Sequence, residues 1–239
     1  MKQNNKTSLS NTNCPEDFSS NPNKHKNCFA EIVESSLDKF IAQCWDYNDP
    51  PRFGSLVETY NKKINIIGCV TNIETKSMDP TRYPFPYKKT EEELLSEQPQ
   101  IFEFLKTNFE VKVLGYSQSS PKGFHPRQDY AGQAEGQATT NTFFYLTPPY
   151  PAKIHSFVCK LSQEKTCKFF SNIDLIYTLF ISKTEINLDE LILAIFSQLK
   201  SEPRLLENLL SSFYKSSHYL MTNDYKRAKL FFRRIETML

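Results

Sequence analysis

The chain has 239 residues, with 29 lysines and arginines against 27 aspartates and glutamates, a formal net charge of +2. That length is enough for one large domain or two small ones with a real core, and the near balance of charge removes any demand for a polyanionic partner while leaving room for a local basic face. No apolar run approaches the ~20 residues a membrane helix needs, "MKQNNKTSLS" leads into no apolar leader segment, and a soluble protein is expected. The six cysteines, Cys14, Cys28, Cys44, Cys69, Cys159 and Cys167, contain no CxxC pair. They read as reduced thiols in a reducing compartment.

Residues 1–27 hold seven asparagines and almost no aliphatic side chains. Such a segment buries too little surface to offset the entropy of ordering and reads as a disordered tail. The abundance of Asn, Lys, Phe and Ile throughout matches an AT-rich coding genome, as in plastids or some parasites. From Phe29 the pattern changes. "FAEIVESSLDKFIAQCW", "GSLVETY" and "INIIGCVTNIET" read as three successive β-strands, the opening of a small closed barrel, with "DPPRFGS" as the turn before the second. In the third, Ile64, Ile66 and Val70 fall on one face and Ile67, Cys69 and Ile73 on the other. One face sees the barrel interior, and the other a helix or a neighbouring chain. Gly68 interrupts the pattern where a bulge is expected.

The run "SMDPTRYPFPYKK" alternates prolines with Tyr83, Phe85 and Tyr87 and must be extended, because each proline removes a donor and biases its predecessor away from helix. These three aromatics are the candidate partner-binding residues; the competing reading folds them back over the barrel mouth. Thr90 and Glu93 form a capping-box signature opening a helix. Pro99 breaks that helix, and "QIFEFLKTNF" is expected to continue as a second helix with Ile101, Leu105 and Phe109 on one face. "FEVKVLGYS" returns to strand. Residues 117–141 contain no Val, Leu, Ile or Met and read as a long flexible loop, after which "TFFYLT" and "KIHSFVC" supply two final strands.

Beyond Cys167 the period is helical. Asn187 caps a helix with Leu188, Leu191, Ile192, Ile195 and Leu199 on one side, and Pro203 opens the next, striped with Leu206, Leu209, Leu210 and Phe213. A last helix from about Thr222 carries Tyr225, Ala228, Phe232, Ile235 and Leu239. The expected fold is therefore α+β. The tail spans 1–27, a barrel domain spans 28–160 with a helical insert at 78–110 and the flexible loop at 117–141, and a C-terminal helical bundle spans 161–239.

The segment Phe29 to Ile73, with "GSLV" at 54–57 and "IIGCVTNIE" at 66–74, resembles the HAS barrel found at the N-terminus of HerA-type DNA-translocating ATPases and of ATP-synthase α and β subunits. More loosely, "SMDPTRYPFPYKKTEEELLSEQPQIFEFLKTNF" and "PAKIHSFVC" are similar to uncharacterised cyanobacterial and plastid-encoded proteins carrying this barrel. The resemblance implies the barrel fold, a plastid stroma or cyanobacterium-like cytoplasm, and no particular reaction. The ATPases place a P-loop behind the barrel. Here no G-x-x-x-x-G-K-[ST] exists, so any ATP-driven step would belong to a separate protein.

No catalytic constellation is legible. His25, His125, His155 and His218 are scattered, and His155 with Cys159 makes at most half a zinc site. There is no nucleophile elbow or Cys–His context. Glu91, Glu92 and Glu93 are accounted for by the helix dipole. The densest basic stretch is on the last helix, where Lys226 stacks over Arg233 and Arg227 over Arg234. These four are the candidate phosphate-binding residues, against the alternative of a solvated basic face. The sequence thus reads as a non-catalytic interaction or assembly module without cofactor or metal, acting on another protein. The alternative is a nucleic-acid-binding accessory protein using the barrel and the basic helix.

Overall fold

Side chains that alternate in and out along short, mutually paired strands close this chain into a ring. The computed structural model describes residues 27–61, 64–79, 81, 84–119, 141–170, 172, 179, 187–220 and 225–238. Residues 1–26 of the expected tail at 1–27, and residues 120–140 of the expected loop, lie outside these residues. Strands β1 (Cys28–Ser35), β2 (Lys39–Cys44), β3 (Leu56–Asn61), β4 (Ile64–Ser77), β5 (Leu105–Ser119), β6 (Asn141–Phe144) and β7 (Phe157–Lys160) run in the order β2-β1-β7-β3-β4-β5-β6. Because β5 also pairs with β2, six of them form a closed antiparallel barrel. One edge of β5 is shared. Its residues 108–112 pair with β2 and its residues 116–119 with β6.

The interior is filled by Ile32, Phe40, Val57, Ile66, Phe109, Val111 and their neighbours, all shielded from solvent. Phe29 lies stacked on Phe109, with ring centroids 5.5 Å apart. In a barrel this small the inward side chains fill the interior.

The structure revises several expectations. Phe29 to Trp45 is two strands, because Ser36 and Asp38 build a tight turn: Ser36 Oγ donates to Asp38 Oδ1 (2.7 Å) and Ser36 N donates to Lys39 O (2.8 Å). Short polar side chains that bond their own backbone compete with the ladder in this way. Gly68 does sit at a register shift, and a Cβ there would lie 2.4 Å from Val111 Cγ1 and 2.7 Å from Lys112 O. Only glycine allows β4 and β5 to approach so closely. A second shift, between Val70 and Asn72, turns Ile73 to the interior side, where it packs against the barrel core with Ile64, Ile66 and Val70. The expected second helix is cut to four residues. β5 begins at Leu105, and its ladder with β4 runs from Leu105 to Ser117. Non-local pairing overrides the helical spacing of Ile101, Leu105 and Phe109. The strand also takes residues 117–119 from the expected loop.

The helices are α1 (Glu91–Glu97), α2 (Gln100–Glu103), α3 (Gln163–Phe170), α4 (Leu188–Gln198), α5 (Pro203–Leu220) and α6 (Tyr225–Met238), with a 3-10 turn at Leu199–Ser201. Asn187 caps α4, accepting from Asp189 N (3.2 Å), and Pro203 is the first residue of α5, both as expected. The outward face of the barrel at Leu56, Ile67, Cys69 and Leu114 joins Phe169, Ile192, Phe196, Phe213 and Phe231 in one apolar cluster. Here the second face of β4 meets helices. Gly54, at φ 81°, brings the β2–β3 connection against α4, where a Cβ would meet that of Ala194 at 2.8 Å. Gln198 Nε2 donates to Phe53 O (3.1 Å), and Lys165 Nζ donates to both carboxylate oxygens of Glu58 (2.6 and 2.7 Å). The fold is α+β, a closed barrel with helices on one wall.

One cysteine reading is corrected outright. Cys28 and Cys159 face each other across β1 and β7 and are joined in a disulfide spanning 131 residues. Strand register brings together two cysteines whose sequence separation gave no hint of pairing. With these two joined, the cysteines no longer argue for a reducing compartment. Among the described residues, no helix is long and apolar enough to cross a membrane.

Candidate interaction surface

Between β4 and β5 the chain leaves the barrel as an arm. Its base is fastened by Met78 N donating to Phe104 O (2.7 Å), and Asp79 Oδ1 accepts from the backbone N and the hydroxyl of Thr81 (2.9 and 2.7 Å). The capping box anticipated at Thr90 is present in both halves: Glu93 N donates to Thr90 Oγ1 (3.3 Å) and Thr90 N donates to Glu93 Oε2 (2.9 Å). Yet neither α1 nor α2 buries a single residue. Phe85 is 71% exposed, and its ring meets that of Tyr87 edge-on at 5.8 Å. Leu95 and Phe104 are exposed beside them in sequence, while Phe102 stacks on Tyr47 at 6.1 Å and steadies the arm's second half. Tyr83, the third candidate, lies outside the described residues. The structure leaves Phe85 and Tyr87 facing solvent.

The basic helix has a different electrostatic character from the one its sequence suggests. Arg227 grips Asp189 with two bonds, Nε to Oδ2 (2.9 Å) and Nη2 to Oδ1 (2.7 Å), and Arg234 pairs with Glu190 at 2.6 Å. The bond from Arg234 holds the Glu190 carboxyl below its ordinary range. These arginines join α6 to the first turn of α4. Sequence reading missed both carboxylates because Asp189 and Glu190 lie 38 and 44 residues from their partners and look like ordinary helix-start acids. Lys226 and Arg233, the other two candidates, are exposed together with Lys229, and none of the three has a carboxylate partner among the described residues. Asp189, Arg227, Leu230, Phe231 and Arg234 line an open cavity of about 460 Å³.

The remaining chemistry-bearing groups are engaged elsewhere. His155 precedes β7 with φ 66°, and its Nδ1 lies 2.6 Å from Glu31 Oε1, while Cys159 is in the disulfide. The zinc pair considered for these two is thereby broken up. Among the described residues no three His, Cys, Asp or Glu side chains gather as metal ligands. Burial pushes the Cys44 thiol up to about 11 and drives that of fully buried Cys69 higher still. A thiol so held is protonated and unreactive at neutral pH. In the native protein iodoacetamide should therefore spare Cys44 and Cys69 over a time in which the unfolded chain is fully alkylated, as read by peptide mass; rapid native labelling of either would show that the core opens there.

No protein-family model matches the chain, and no curated protein is similar to it.

Proposed function

We propose that this chain is a non-catalytic interaction or assembly module. A HAS-like barrel and a C-terminal helical bundle form the rigid support, and the β4–β5 arm is the element that docks on another protein. Any ATP-driven step it serves belongs to a separate ATPase. The observation that carries this reading is the arm itself: two short helices without a fully buried residue, fixed at their base, presenting Phe85 and Tyr87 to solvent. Exposed aromatics on a held backbone are the side chains that anchor protein contacts, since little entropy is lost when they bind. A second reading, binding of nucleic acid, draws on Lys226, Lys229 and Arg233. It is the weaker of the two, because Arg227 and Arg234 are already spent on carboxylates.

Affinity recovery of partners by the tagged full-length chain tests the first reading. Phe85→Ala/Tyr87→Ala should lower recovery by about tenfold or more, as loss of an aromatic anchor typically costs above 1 kcal/mol. Folding stability should stay within about 0.5 kcal/mol, because neither ring is in a core. Undiminished recovery by this variant, with loss on reversing Lys226 and Arg233 and release by moderate salt, would replace the arm by the basic helix and favour nucleic acid.

A further inference from the structure

The arm's first helix opens on exposed carboxylates, and one face of the basic helix carries exposed cations. On α1, Glu91 and Glu92 are exposed and have no cationic partner among the described residues, whereas Glu93 is engaged in the cap and Glu97 pairs with Lys89. Glu103, at the arm's far end, is exposed and likewise has no cationic partner among the described residues. On α6, Lys226, Lys229 and Arg233 are spaced three and four residues apart and so lie along one helix face. Leu230, 56% exposed, lies at the edge of that face on the side of Arg227 and Arg234, and is part of the wall of the cavity between α4 and α6. One patch is a pair of exposed aromatic rings followed by Lys88 and Lys89 and then by Glu91 and Glu92, two carboxylates without a cationic partner among the described residues. The other is an open hollow of about 460 Å³ lined by Leu230, Phe231 and the paired Asp189, Arg227 and Arg234, next to cations that have no carboxylate partner among the described residues. The hollow is large enough to take an aromatic side chain. Among the described residues, none covers Phe85 or Leu230, which are 71% and 56% exposed.

We propose that the partner of the arm is a second copy of this chain, the arm of one copy seating Phe85 in the α4–α6 hollow of the next while Glu91 and Glu92 face its Lys226 and Lys229. This rests on the arm being the docking element. Charge complementarity favours this occupant, since opposite fields steer the two patches together and penalise arm-to-arm or helix-to-helix pairing. The two surfaces differ, so the contact is heterologous. It propagates head to tail into a ring or an open filament rather than closing as a two-fold dimer.

Sedimentation velocity on the full-length chain decides the matter. The wild type should associate with rising concentration, and the association should weaken as salt is raised. An arm variant, Glu91→Lys/Glu92→Lys, and a face variant, Lys226→Glu/Lys229→Glu, should each be monomeric alone. In an equimolar mixture every contact again joins an arm and a face of opposite charge, native at one contact and reversed at the next, so association should return. Because all four positions are exposed, unchanged circular dichroism is expected, and Phe85→Ala/Tyr87→Ala supplies an uncharged check on the arm that should lower the association constant about tenfold. A wild type that stays monomeric at every concentration overturns the proposal, as does a mixture that stays monomeric. Salt-sensitive binding of single-stranded DNA that the face variant abolishes, without self-association, would assign the α6 face to a polyanion and overturn it as well. If the wild type is monomeric but the aromatic variant still loses other proteins in affinity recovery, self-assembly fails while the interaction-module reading stands.

Discussion

Breaking the Cys28–Cys159 bond should lower the stability of this protein by up to about 5 kcal/mol. In the chain-entropy account, a crosslink restrains the unfolded chain in proportion to the logarithm of the loop it closes, and 131 residues is a long loop. The loss is expected to be large also because the bond fastens β1 to β7, which meet through only a short ladder, Cys28↔Cys159 to Glu31↔Phe157. Guanidinium unfolding with and without reductant measures it, with Cys28→Ser/Cys159→Ser as the comparison. Reductant should move the wild-type midpoint to that of the serine variant and leave the variant unmoved. Coincident midpoints for the oxidised and reduced wild type would mean that the two sulfurs are not joined in the folded protein.

Phe109→Ala should cost about 3–5 kcal/mol, the range for deleting a large aromatic from a close-packed interior. Phe109 is 1% exposed and stacks on Phe29, and its backbone sits in the ladder that joins β5 to β2 and closes the ring. The substitution leaves a void at the seam of the barrel, where six strands must meet and few side chains are large enough to fill the space. A denaturation midpoint within error of the wild type would place Phe109 outside the barrel core.

The disulfide and Phe109 also mark where the sequence stops being legible. The inward set Ile64, Ile66 and Val70 was legible because strand alternation is a local signal that the barrel keeps. The capping box at Thr90 and Glu93, the cap at Asn187 and the first-turn Pro203 were legible for the same reason: each is satisfied by residues within one helical turn. Phe109 was misread as helical because Ile101, Leu105 and Phe109 repeat every four residues. Only the distant partners Ala42 and Ile73 make that stretch a strand. The disulfide escaped notice because register across β1 and β7 depends on a bulge between Cys28 and Ala30 that no residue type signals. Of the candidate site, the aromatic run was visible as such, but its exposure was not, since exposure depends on helices that fail to pack. Arg227 and Arg234 looked like free cations because helix spacing is blind to carboxylates on another element.

The position of β7 in the ring sets an order of events during synthesis. β7 is made last among the barrel strands, yet it lies between β1 and β3, two strands made much earlier. Until Phe157–Lys160 leaves the ribosome, β1 and β3 have unpaired edges. At about 5–20 residues per second, the roughly 100 residues between β3 and β7 take on the order of 5–20 s to appear. Throughout that interval the nascent chain has a gap in its wall the width of one strand, the kind of edge that recruits foreign strands. The last strand acts as a keystone: it fills the gap, completes the core and brings Cys159 to Cys28 in one step.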